Sequence, residues 1–134
     1  MPIEQILSIF NHFSQKLNQQ AQSPNVNFIS IYFCRFISSI KPSTQQRQRF
    51  QEPSLELFKT FIKPSLTRMN TFIPAIQVHS VLTRVFCENY TQKLESADLA
   101  SIESFITSTF EQSKEGNNSE ACMRTALCVS CFVV

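Results

Sequence analysis

Glycine is almost missing from this chain: Gly116 is the only one in 134 residues. Glycine supplies the positive-φ turns of hairpins and the close backbone approach of phosphate-binding loops, so hairpin-rich folds and dinucleotide or Walker-type loops are excluded together. Aspartate and histidine are also sparse, with Asp98 the sole aspartate and His12 and His79 the only histidines. No stretch approaches the roughly 18 uninterrupted apolar residues of a spanning helix; the segment from Ile29 to Ile37 already contains Ser30 and Arg35. The first residues, Met1 to Leu7, carry Glu4 and no basic patch, so they form neither a secretory signal nor an Arg-rich transit peptide, and a cytoplasmic or nuclear location is expected. Alanine is scarce while Ser, Thr, Asn, Gln and Phe are plentiful, so helices here are weak alone and rely on packing.

What is present is a composition of 43% hydrophobic and 16% charged residues, that of a soluble globular chain whose length suits one domain over 1–134. The net charge of +2 conceals a split. Residues 35–84 hold eight basic groups against Glu52 and Glu56 and sum to +6, whereas residues 85–134 sum to −4. Such an arrangement steers an anionic partner to one end or simply solvates the surface.

Apolar spacing is helical nearly throughout. Ile3, Ile6, Leu7, Phe10, Phe13 and Leu17 recur at three and four, predicting a first helix that Pro24 and the polar residues before it end. Ile29, Phe33, Phe36 and Ile40 predict a second. The run Lys41 to Pro53 is polar, fenced by prolines and basic, and is expected to be an exposed loop. Ser54 is placed to cap a helix through Leu55, Phe58, Phe61 and Ile62 that Pro64 kinks or ends, with Ser65 starting a short helix through Met69. Pro74 suits the first turn of a helix carrying Ile76, Val78, Val81, Leu82, Val85 and Phe86. Ser96 and Asp98 mark the start of a stripe through Leu99, Ile102, Ile106 and Phe110. Residues 114–119 read as a linker, and a last helix runs into an apolar tail over 128–134. The expected fold is all-α, an irregular helical bundle or short α-solenoid-like stack of about six helices.

Chemistry finds little footing. His79 and Cys87 are eight residues apart on one helix, about 12 Å along its axis, too far for a nucleophile and its base. The pair Cys128 and Cys131 has the spacing of a zinc half-site with Cys122 six residues earlier, but closure needs Cys87 or His79 as a fourth ligand. Ordinary buried thiols account for the same residues, and no cofactor, metal or small-molecule substrate is expected. The ending Cys131-Phe132-Val133-Val134 has the outline of a prenylation box, with Cys131 the lipidation site, although valine departs from the usual final residues.

The function expected is therefore non-catalytic: a helical protein-protein interaction module or small subunit of a larger assembly. Its candidate contact residues are Arg47, Arg49 and Phe50 in the 41–53 loop, Lys63, and Phe132, Val133 and Val134 at the end. Two alternatives come from other classes. One is nucleic-acid contact, RNA in particular, through the basic 35–84 region. The other is peripheral membrane attachment by a lipid near the C-terminus.

Overall fold

A computed structural model describes residues 2–68, 70–86 and 96–113. Every regular element among them is helical and no strand occurs among the described residues. The chain divides into two compact units, 1–93 and 94–134.

In the first unit, α1 spans Ile3–Gln19 and buries Phe10 and Leu17. Pro2 stands just outside its first turn in extended geometry, Glu4 lies near the positive end and Lys16 near the negative end, as the helix dipole favours. A turn through Pro24 leads into α2, Val26–Ser38, whose inward residues Val26, Ser30, Phe33 and Ile37 recur at four, three and four. After α6, Phe72–Phe86, comes into place, α2 packs chiefly on it and secondarily on α1. Two hydrogen bonds set that pair parallel: Asn70 Nδ2 donates to the Ala21 carbonyl at one end (2.8 Å) and the Arg84 guanidinium donates to Ser38 Oγ at the other (2.8 Å).

Residues 41–53 are not the exposed loop that their polarity suggests. Thr44–Arg49 form α3 and Gln51–Leu57 form α4. Ser43 caps α3 reciprocally: Gln46 N–H donates to Ser43 Oγ (3.3 Å) while Ser43 N–H donates to Gln46 Oε1 (3.0 Å). Pro53 falls in the first turn of α4, where the N–H it lacks is not needed, so it opens a helix instead of fencing a loop. Ser54 is accordingly inside α4 and buried, and it caps nothing.

Past Leu57 the helix widens to a π turn over Phe58–Ile62 and continues as α5, Lys63–Ser65. Lys63 N–H reaches back five residues to the Phe58 carbonyl. The cause is Pro64, whose ring crowds the Thr60 carbonyl and whose nitrogen cannot bond it, so the turn widens to relieve the clash and the rod ends one residue later. Ser65 closes this rod and does not begin another; Met69 lies outside the described residues. Counting α4, the π turn and α5 as one rod, the described chain has five long rods plus the short α3, against about six expected.

Phenylalanine welds the first unit together. Phe10 meets Phe33 edge-to-face at 5.2 Å and tilts against Phe50 at 5.8 Å; Phe50 stacks on Phe86 at 4.5 Å. Phe13 extends the chain of rings to Phe33 and Phe36, at 5.5 and 5.8 Å. The rings thus join α1, α2, the α3–α4 junction and α6. Each buried ring contributes about 1.5–3 kcal/mol through removal of apolar surface from water, with about 0.5–1.5 kcal/mol more for a well-placed pair.

The second unit is described through α7, Ser96–Ser113, with Asp98 in its first turn. Of the stripe expected to face a core, Ile102 is buried and Ile106 half-buried, but Leu99 is exposed. Phe110 and the 114–119 linker fall outside what is described of side chains and backbone respectively, as do the last helix and the 128–134 tail.

Candidate functional site

A helix that is apolar all round is ordinarily buried all round. The sequence of α2, VNFISIYFCRFIS, carries apolar residues well beyond one stripe, with Asn27, Arg35 and Ser38 its exposed polar residues, yet only one side of it is covered. Opposite the buried stripe, Phe28, Ile31 and Tyr32 are 62%, 43% and 57% exposed. Their spacing of three and one puts them on one face, and Arg35, exposed one turn beyond Ile31, ends the stripe about 10 Å from Phe28 along the axis. No carboxylate occurs on α2. Arg84 at Ser38 and exposed Lys41 just past the helix add to the positive end. Ile73, 42% exposed on the first turn of α6, lies at the Phe28 end of the parallel helix pair.

Cys34 sits on a flank of α2, half-buried. Burial pushes its thiol from an ordinary value of 9.0 up to about 11, with Arg84 pulling weakly the other way. It is a protonated, packed thiol at neutral pH. No group of three or more His, Cys, Asp or Glu side chains placed to hold a metal ion occurs among the described residues. His79 is buried beside the Phe58 ring, 6.4 Å between centroids, while His12 is exposed on α1. Cys87, Cys122, Cys128 and Cys131 lie outside the described residues, so the half-site and lipidation motifs do too.

A concavity of about 810 Å³ runs between α1 and the α4–π rod. Asn11, Gln15 and Asn18 line one wall and Glu52, Glu56, Lys59 and Thr60 the other. Asn18 Nδ2 donates to both the Ser14 carbonyl and Thr60 Oγ1 (3.1 Å each), and Thr60 Oγ1 donates on to the Glu56 carbonyl (2.9 Å), which ties the walls together at one end.

The contact residues expected from sequence are dispersed. Phe50 is wholly buried in the ring cluster and offers nothing to a partner, because the polar run around it is helical and turns its one apolar residue inward. Arg47 is half-buried with its Nε enclosed, and Arg49 is exposed and paired with Glu4. Lys63 is half-buried on α5. Phe132, Val133 and Val134 lie outside the described residues. The face of α2 escaped sequence reasoning, although its signal was there: Phe28, Ile31 and Tyr32 are surplus to the Ile29–Phe33–Phe36–Ile40 stripe and a strip of apolar residues on both sides of so short a helix needs two covers.

No helix among the described residues is long and apolar enough to cross a membrane. No protein-family model, no curated protein and no solved structure matches the chain.

Proposed function

We propose that this chain is a non-catalytic helical interaction module, the helices of its first unit bundled around the phenylalanine cluster, that docks an amphipathic helix of a protein partner on the outer face of α2. One observation carries the reading: α2 is apolar on both sides and Phe28, Ile31 and Tyr32 stand in solvent. Helix-in-groove recognition uses anchors at this spacing. The partner segment should carry carboxylates beside its apolar stripe, because Arg35, Lys41 and Arg84 surround the end of α2 and the first unit as a whole sums to +6. The three side chains offer on the order of 300 Å² of apolar surface. That falls well short of the roughly 800 Å² per partner of a stable complex between folded proteins, so a segment fits better than a second copy of the chain.

The test is a fluorescence-anisotropy titration with a labelled peptide helix of about four turns, leucines at the i, i+3, i+4 and i+7 positions and glutamates flanking them. The protein is expected to bind it and to prefer it over a lysine-flanked counterpart. Phe28→Ser/Tyr32→Ser should weaken binding at least about tenfold, which is about 1.4 kcal/mol. Equal binding by wild type and double variant sinks the proposal. So does preferential binding of a single-stranded RNA at physiological salt, the outcome that nucleic-acid contact through the basic region requires.

A further inference from the structure

Two serines close α2, and their hydroxyls are used differently. Ser39 Oγ turns back and donates to the Phe36 carbonyl (2.6 Å), which finishes the helix end. Ser38 Oγ instead accepts from the Arg84 guanidinium of α6 (2.8 Å) and stays exposed. Arg84 also acts on the thiol of Cys34, one turn before Ser38, so the guanidinium lies along that flank of α2. Arg35 is exposed three residues before Ser38, a spacing that brings side chains of one helix together, with Cβ atoms about 5–6 Å apart. Lys41 is exposed three residues after it. Neither α2 nor α6 carries a carboxylate, so the neighbours that these helices give the hydroxyl are cationic or neutral.

Arginine three residues before a serine or threonine is also the pattern that basophilic protein kinases read. It occurs twice in the chain, at Arg35-Phe36-Ile37-Ser38 and Arg68-Met69-Asn70-Thr71. Thr71 is wholly buried, which leaves Ser38 as the accessible hydroxyl. Ser38 is the last residue of α2 and irregular chain follows over 40–43, so it stands where helices fray and a kinase cleft can take hold.

We infer that Ser38 is a phosphorylation site whose phosphate is held by Arg84 and Arg35 and closes the α2 face to acidic helices. The γ-phosphoryl group of ATP passes to Ser38 Oγ: the bond to the β-phosphate oxygen breaks, an O–P bond to serine forms, the hydroxyl proton leaves to the kinase's base, and ADP departs. The product carries a charge of about −1.5 to −2 and three acceptor oxygens, and the guanidinium already bonded to Ser38 Oγ is placed to donate to them. The negative end of α2 opposes a phosphate, but that effect is confined to the last turn and two guanidiniums outweigh it. Arg35 then serves the phosphate in place of a partner's carboxylate, and the cationic end of α2 loses most of its charge. The closure rests on the docking reading above, whereas the site and its arginine cradle do not.

The full chain is treated with a basophilic serine/threonine kinase and magnesium ATP, and the modified residue is located by mass spectrometry. Incorporation at Ser38 is expected, lost in Ser38→Ala and kept in Ser39→Ala; no modification, or modification only elsewhere, overturns the inference. In a phosphorus NMR titration the phosphoserine should release its last proton below the ordinary value of about 6, and Arg84→Gln should return it towards that value. A midpoint at the ordinary value, or one indifferent to Arg84→Gln, overturns the cradle. The phosphorylated chain should bind the glutamate-flanked peptide helix at least about fivefold more weakly than the unmodified chain, and equal binding overturns the closure. If the unmodified chain does not bind that helix at all, the docking reading falls and the closure with it, while mass spectrometry and the phosphorus titration still decide the site.

Discussion

At the scale of single residues, Phe50 and Arg49 are neighbours in sequence with opposite roles. Phe50 contacts rings from α1 and α6 and has no exposed surface. Phe50→Ala should therefore lower unfolding stability by about 3–5 kcal/mol, the lost transfer energy plus the cavity left behind, read from the urea midpoint at unchanged slope. Arg49→Gln should shift it by less than about 0.5 kcal/mol although it removes the pair with Glu4, because both side chains are largely in water. Cys34 supplies a pH dependence. Its thiol is raised to about 11 in the folded chain, so the folded state holds a proton that the unfolded state releases near 9. Its contribution is fully present below about 9 and lost as pH climbs through 11. Measured across that window, Cys34→Ala should lose less stability with rising pH than the unaltered protein does; parallel curves would show that burial does not perturb this thiol.

Single elements show where local rules suffice. Ser43-Thr44-Gln45-Gln46 is a capping-box signature, and it, more than propensity, makes α3 a helix, since TQQRQR buries nothing. Ser43→Ala should cost about 1 kcal/mol in urea denaturation, with Ser43→Asp restoring most of it, because a carboxylate also caps and favours the helix N-terminus. A cost near zero would mean that the packing of Phe50, one residue past α3, holds the segment without its cap. The rod from α4 to α5 obeys a subtler rule. Pro64 is tolerated at the last turn of the rod because the turn before it widens by one residue, and Thr60 uses its hydroxyl to satisfy the Glu56 carbonyl while receiving Asn18 from α1. A local defect thereby becomes a tie between two helices and one end of the polar groove.

For the whole molecule, the charge split visible in the chain coincides with its division into units: 1–93 sums to +6 and 94–134 to −4. The proposed docking face lies on the first unit, with cations around the end of α2. The near absence of glycine and the spacing of three and four were enough to establish an all-α chain and to locate α1, α2, α6 and α7 within a few residues, because helical periodicity and its breakers are properties of neighbours in sequence. Composition misled where prolines bounded polar residues, since Pro53 sits in the first turn of a helical rod; Pro64, by contrast, follows a widened turn and stands one residue before its rod ends, the kink or end that its place in the sequence predicts. Periodicity identifies an apolar stripe but not what covers it. That Phe33 is enclosed while Phe28 is bare, or that Glu52, Glu56, Asn11 and Gln15 line one groove, depends on which helices come to lie side by side. Those are contacts between residues far apart in the chain, and only tertiary packing, driven by the burial of the phenylalanine rings, decides them.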